Sequence, residues 1–97
     1  MSFGLKFEPA AAREIELAFE WYESRRTGLG AEFLSVIAAA QEILMRDPLQ
    51  FSMTRAPFRW LKLRKFPYGL HYRIGGDEVM IVACLHFRQS PAHWPGI

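Results

Sequence analysis

The stretch KFPYGLHYRIGGDEVMIVACLHFRQSPAHW, from Lys65 to Trp94, decides the fold. Within it Leu70, Tyr72 and Ile74 alternate with His71 and Arg73, and Val79, Ile81, Ala83 and Leu85 alternate with Met80, Val82, Cys84 and His86. Alternation at period two marks strands, whose successive side chains point to opposite faces. Between the runs, Gly75-Gly76-Asp77 supplies the positive φ angles of a tight hairpin turn. Whether the loop is Gly75-Gly76 or Gly76-Asp77, odd residues of one strand face even residues of the other. The reading therefore puts Leu70, Tyr72, Ile74, Val79, Ile81, Ala83 and Leu85 on a core face. The opposite face gathers His71, Arg73, Met80, Val82, Cys84, His86 and Arg88, a mixture of apolar and cationic groups.

Upstream of the hairpin, FRWLKLRKF from Phe58 to Phe66 reads as a third strand. Leu61 and Leu63 share one of its faces, and Trp60, Lys62 and Arg64 the other. Phe66-Pro67-Tyr68-Gly69 is the turn from it into the hairpin. Residues Leu49 to Pro57 carry no period and form a crossing loop. Before that loop lie two helical patterns. Ala11, Ile15, Ala18 and Tyr22 recur at spacings of four, three and four, starting just after Pro9, which suits a first helical turn. Gly28 and Gly30 end this helix near Arg26-Thr27. Leu29, Phe33, Val36, Ile37, Ala40, Ile43 and Leu44 then define a second helix, stopped by Asp47-Pro48. Trp21, Tyr22 and Phe33 read as core, and Glu14, Glu16, Glu20 and Glu23 as a solvated face. Residues Phe3 to Phe7 make a first short strand, with Phe3, Leu5 and Phe7 on one side and Lys6 on the other.

The predicted order is strand, helix, helix, strand, strand, strand. Two helices joined by a short connection form a hairpin that covers one face of a mainly antiparallel four-stranded sheet, an α+β architecture. The length, 97 residues, suits a single domain over 1–97 with one core, burying roughly 60 to 65% of the surface exposed when unfolded. A hydrophobic content of 51% excludes a disordered chain. No apolar run approaches the ~20 residues of a membrane helix, and MSFGLKFEP lacks the pattern of a secretory signal, so a cytoplasmic protein is expected. The lone Cys84 is expected to be a buried thiol. A net charge of +2 is too small to mark a dedicated nucleic-acid binder. The charge is unevenly spread, however: Arg55, Arg59, Lys62, Arg64, Lys65 and Arg73 follow one another with no acid between them, a local basic stripe.

Several segments together resemble the RelE/ParE superfamily of bacterial toxins from type II toxin-antitoxin pairs. They are Ala18 to Tyr22 followed by Gly28-Leu29-Gly30 and Phe33-Leu34, Pro48 with Phe51, Arg64-Lys65-Phe66-Pro67-Tyr68, Tyr72-Arg73-Ile74, and His86-Phe87-Arg88 with Pro91 and Trp94. The resemblance covers almost the whole chain, and the ending His-x-Arg-x-x-Pro-x-x-Trp looks like the ParE branch. It implies a small toxin, linked to growth arrest and plasmid stabilisation. A cognate antitoxin would hold it inactive, wrapping it with an acidic C-terminal segment while its own N-terminal part binds DNA. ParE-like members poison DNA gyrase, whereas RelE-like members cut mRNA in the ribosome.

The residues can be asked to choose. Cutting RNA through a 2′-hydroxyl needs a base at that oxygen, cations around the phosphate and an acid for the leaving group. The resemblance offers Arg64, Arg73, Arg88 and His86 for this, with Lys62 as a further cation and His71 or His93 as other imidazoles. The C-terminal tyrosine of many RelE-like enzymes is absent here. Trp94 stands in its neighbourhood, and an indole N–H only donates. Structural readings stand beside these: His86 as an interface histidine, Arg88 and Trp94 closing the end of the sheet, and Lys62, Arg64 and Arg73 as a solvated face. The histidines lack metal-site spacing, Gly28-Leu29-Gly30 lacks the lysine of a phosphate loop, and no cofactor is called for. The reading is a ParE-like toxin that inhibits gyrase by protein binding, without catalytic residues. Its contact candidates for target or antitoxin are Arg59, Trp60, Lys62, Arg64, Arg73, Arg88 and Trp94. The alternatives are a ribosome-dependent endoribonuclease acting on mRNA, and a non-toxic module that only binds an antitoxin.

Overall fold

A computed structural model of the chain describes residues 2–89 and 91–95. Strand β1 (Gly4–Phe7) leads directly into helix α1 (Pro9–Arg25), with Pro9 at its first position, where no N–H is needed. Helix α2 (Leu29–Arg46) follows after a turn in which Gly28 takes a left-handed conformation. Glu23, expected to be solvated, instead caps α2: its carboxylate accepts the backbone N–H groups of Gly28 (3.0 Å) and Gly30 (2.9 Å). A carboxylate at a helix N-terminus satisfies orphan donors and complements the helix dipole. The helices approach closely here, because a Cβ on Gly30 would meet the Phe19 ring at 2.8 Å.

Strands β2 (Arg59–Lys62), β3 (Tyr68–Gly75) and β4 (Glu78–His86) complete the expected order, and the sheet runs β1-β4-β3-β2. β2–β3 and β3–β4 are antiparallel, while β1 lies parallel to β4 through Gly4↔Glu78 to Phe7↔Ile81. β2 is shorter than expected. It stops at Lys62, and Arg64 and Lys65 lie beyond it in a bend where Lys65 takes a positive φ of 69°. Arg64 therefore does not share a strand face with Trp60 and Lys62. No helix among the described residues is long and apolar enough to cross a membrane.

One irregularity decides which side chains meet. From the Gly76-Asp77 turn, Ile74 faces Val79 and Tyr72 faces Ile81, as the alternation requires. A bulge between His71 and Tyr72 then leaves Val82 as an extra residue, so that His71 faces Ala83 and Leu70 faces Cys84. One inserted residue exchanges the two faces of the strand from there on. This corrects the expected face assignment. Cys84 joins the core beside Leu70, Ala83 and Leu85 move with His71 to the side away from the helices, and His86 comes to the helix side opposite Tyr68.

The core lies between the helices and one face of the sheet. Ala11, Ile15 and Ala18 of α1 and Phe33, Ile37, Ala40 and Leu44 of α2 are buried against Leu61, Leu70, Tyr72, Val79 and Ile81. Trp21 is not core: it is 52% exposed, turned outward beside the Tyr22 that packs inward. At one end, Tyr22, Phe33, Phe66 and Tyr68 form an aromatic cluster, with ring centroids 4.8 Å apart for Tyr22–Phe66 and 5.2 Å for Phe33–Phe66. At the other, the buried Tyr72 hydroxyl donates to the Pro48 carbonyl, tying the chain after α2 to the central strand. Burial lifts that hydroxyl's pKa to about 12, so it keeps its proton. Tyr72→Phe strands the Pro48 carbonyl and is expected to cost about 1 to 3 kcal/mol in urea unfolding, with an unchanged m-value.

Candidate functional site

On the face away from the helices, Trp60 of β2 stands opposite His71 of β3. The rings lie 5.6 Å apart. The closeness depends on Gly69, where a Cβ would meet the Trp60 ring at 2.9 Å. Past β4 the chain turns back, forms a short helical turn at Pro91–His93 and lays Trp94 over both rings, 4.8 Å from Trp60 and 5.3 Å from His71. Arg55 helps to hold this return, its Nη1 donating to the Pro91 carbonyl at 3.4 Å. His71 is consequently 1% exposed, its Nδ1 has no hydrogen-bond partner, and burial lowers its pKa to about 4. It is a neutral ring inside an indole stack. The outer rim of this patch holds the Lys62 ammonium, 5.0 Å from the Trp60 ring centre, and Phe87, 6.1 Å from Trp60 and 45% exposed. A cation over an exposed indole contributes about 0.5 to 1 kcal/mol.

The other sequence candidates are dispersed. Arg73 shares this sheet face but faces Met80, farther along, with Nη2 at 3.9 Å from Glu8 Oε1. Arg59 pairs with Tyr72 on the helix side of the sheet edge, and its Nη1 donates to the Phe51 carbonyl at 2.7 Å and the Leu49 carbonyl at 3.3 Å. That holds the crossing loop in place. Arg64 is exposed in the bend after β2. His86 sits on the helix side, edge-on to Tyr68 at 5.1 Å, and its Nδ1 accepts the Arg88 backbone N–H at 3.0 Å. Of the seven contact candidates, only Trp60, Lys62 and Trp94 form one compact cluster.

A second feature was missed from the sequence. Between α1 and the far end of β4 runs an open groove of about 930 Å³, walled by Leu17, Ala18, Trp21, Tyr22 and Tyr68, with Glu14, His86 and Arg88 along it. Leu17 is 48% exposed. Its position off the Ala11–Ile15–Ala18–Tyr22 stripe was the signal that could have found it. Glu14, read as solvated, reaches in and accepts the Cys84 backbone N–H at 2.9 Å. Burial raises the pKa of this carboxyl, an effect opposed by the same hydrogen bond. Burial also pushes the Cys84 thiol up to about 12, so it stays protonated.

Comparison with known proteins places this architecture. A family model described as ParE toxin of type II toxin-antitoxin system, parDE, matches residues 5–91. The chain belongs to the ParE toxin family. A match of that extent spans both helices and all of the sheet but Gly4, and it ends before Trp94. Among solved structures, one described as "Chromosomal ParDE TA system from P. aeruginosa" superposes on the ParE-family chain with a TM-score of 0.76. It covers 87% of this chain and 95% of that one at 19% identity, which establishes a shared fold. No curated protein sequence matches.

Proposed function

We propose that this ParE-family chain is a toxin that acts by binding a protein target, DNA gyrase, and is neutralised by a cognate antitoxin. The observation that carries this reading is the dispersal of the RNA-cutting set. Arg73 lies on the sheet face away from the helices, His86 on the helix face, Arg64 in a bend and Arg88 in the turn after β4. General acid–base cleavage needs its groups within hydrogen-bond reach of one phosphate, about 3 Å from the reacting atoms. The bulge at Val82 sends His86 to the opposite face from Arg73. The imidazole that does lie on the cationic face, His71, is covered and neutral.

A contact surface fits the residues better. Trp60, Trp94 and Phe87 present apolar area held rigid by mutual stacking, with Lys62 at the rim. Aromatic anchors inside a polar rim are the anatomy of protein-binding hot spots. Gyrase as the target rests on family membership, and an antitoxin partner rests on that and on the printed description of the structural neighbour as a ParDE system.

Lys62→Glu reverses an exposed charge without touching the core. It is expected to weaken binding to purified gyrase by about tenfold or more, read by surface plasmon resonance, with an unchanged circular dichroism spectrum. His86→Ala is expected to leave growth arrest intact. Undiminished gyrase binding by the Lys62 variant would remove the patch from the account, and loss of toxicity in the His86 variant would favour catalysis.

A further inference from the structure

The charge of this chain is divided between its two halves. Residues 1–47, which form β1 and both helices, hold five Lys and Arg against eight Asp and Glu, a net of −3. Residues 48–97 hold seven against two, a net of +5, and the small total of +2 is the balance of the two halves. Both acids of the second half, Asp77 and Glu78, sit at the β3–β4 turn. At about 3.3 Å per residue, the eight residues of β3 put that turn roughly 23 Å from the strand's other end. The Debye length is about 8 Å at physiological salt, so acids at the turn do not neutralise cations at the far end.

Cations gather at that far end. Lys62, Gly69 and Leu85 stand in one row across β2, β3 and β4. Just past the row, Arg64 and Lys65 lie in the bend after β2 and Arg88 in the turn after β4, where the Phe87 N–H donates to the Pro67 carbonyl at 2.8 Å. All four cationic side chains belong to exposed residues. Among the described residues, Lys62, Arg64 and Arg88 have no ion-pair partner. Lys65 reaches only Glu32, at 4.0 Å, and Arg26 already holds that carboxylate at 2.9 Å. Two inter-strand steps make the group about 10 Å wide, too wide to close on one phosphate. A row of phosphates suits it: duplex DNA carries one charge per about 1.7 Å of axis, and Lys and Arg contacts to that row supply affinity without reading sequence. The group is continuous with the aromatic patch, because Lys62 is the rim of that patch and Phe87 precedes Arg88.

We infer that this end of the sheet, Lys62, Arg64, Lys65 and Arg88, grips the phosphate backbone of the duplex DNA that gyrase holds, while the tryptophan patch rests on the gyrase protein. The inference rests on the gyrase reading above and names what lies beside the patch in that complex. Its consequence is a choice between forms of the target. The cations add affinity only when gyrase holds DNA, so the chain prefers the DNA-loaded enzyme to the empty one. The acidic helical half faces away from the duplex, which keeps the chain as a whole from binding DNA tightly without gyrase.

The test compares the full chain with a variant combining Arg64→Gln, Lys65→Gln and Arg88→Gln, all at exposed positions outside the tryptophan patch. Fluorescence anisotropy with a labelled duplex of about 20 base pairs is expected to give a Kd of about 10⁻⁴ to 10⁻⁶ M at physiological salt, weakening as salt rises. The triple variant is expected to bind the duplex about tenfold or more weakly, with a salt slope shallower by about 2 to 3, whereas Arg64→Lys with Arg88→Lys keeps most of the affinity. By surface plasmon resonance the triple variant is expected to bind DNA-free gyrase as the parent does, and gyrase carrying a duplex about tenfold or more weakly. Undiminished duplex binding by the triple variant overturns the inference, as does a parent chain that ignores the duplex. Polyglutamate bound as tightly as the duplex at equal salt also overturns it, in favour of an acidic peptide. Equal losses on gyrase with and without DNA overturn it too, by giving these cations to the protein contact. Duplex binding by a parent chain that binds gyrase in neither form overturns the reading on which the inference rests.

Discussion

Phe33→Ala is expected to remove about 3 to 5 kcal/mol of stability. Phe33 is fully buried in the second turn of α2 and contacts three other rings, with centroids 5.4 Å from Tyr22, 5.2 Å from Phe66 and 5.6 Å from Tyr68. Truncation loses the transfer free energy of the ring and leaves a cavity that these neighbours cannot fill. The aromatic pairings add about 0.5 to 1.5 kcal/mol each beyond burial. A chain of this size has a total stability of about 5 to 15 kcal/mol, so the variant sits near the folding threshold. Chemical denaturation followed by tryptophan fluorescence reads it. Phe33→Leu keeps most of the volume and is expected to lose less than half as much. Equal losses in the two variants would show that this cluster tolerates cavities.

The second large effect is a dependence of stability on pH that centres on His71. Its folded pKa of about 4 lies below the value near 6.5 of an exposed imidazole. Between those values the unfolded chain binds a proton that the folded chain excludes. Stability is therefore fully present above about pH 6.5 and declines as pH falls toward 4. Between pH 7 and 4.5 the loss is about 2 to 3 kcal/mol. His71→Leu keeps an apolar group of similar size beneath the tryptophans, and its Nδ1 leaves no partner behind. The variant is expected to lack that share of the pH dependence, while carboxylates titrating in the same window contribute equally to both proteins. Trp94→Ala admits water to the imidazole and is expected to shrink the slope as well. A parallel pH profile in all three proteins would mean that His71 is solvated.

How much of this was legible in the sequence follows from where phase was marked. Gly75-Gly76-Asp77 fixed the hairpin, and helix boundaries were readable because Pro9, Gly28 and Asp47-Pro48 punctuate clean 3.6-residue stripes. The faces of β3 were readable too. Those of β4 were not, beyond Ile81: MIVACL is apolar at every position, so an inserted residue leaves no break in the pattern. The face assignments of Ala83, Cys84, Leu85 and His86 failed at that one point, while Cys84 is the buried thiol expected. Period two also says that Phe3–Phe7 is a strand without saying whose neighbour it is, so the parallel pairing with β4 emerged only in three dimensions. The basic stripe dispersed for a related reason: β2 ended at Lys62, and Arg59 turned to the loop carbonyls that it steadies.

The most direct test of the central claim is to express the chain from a tightly controlled promoter without antitoxin and to follow plasmid topology, chromosomal breakage and mRNA integrity as growth stops. The account predicts cleaved or relaxed DNA with intact mRNA. Early cuts within translated codons and undamaged DNA would contradict it and return the function to the cationic residues as a nuclease.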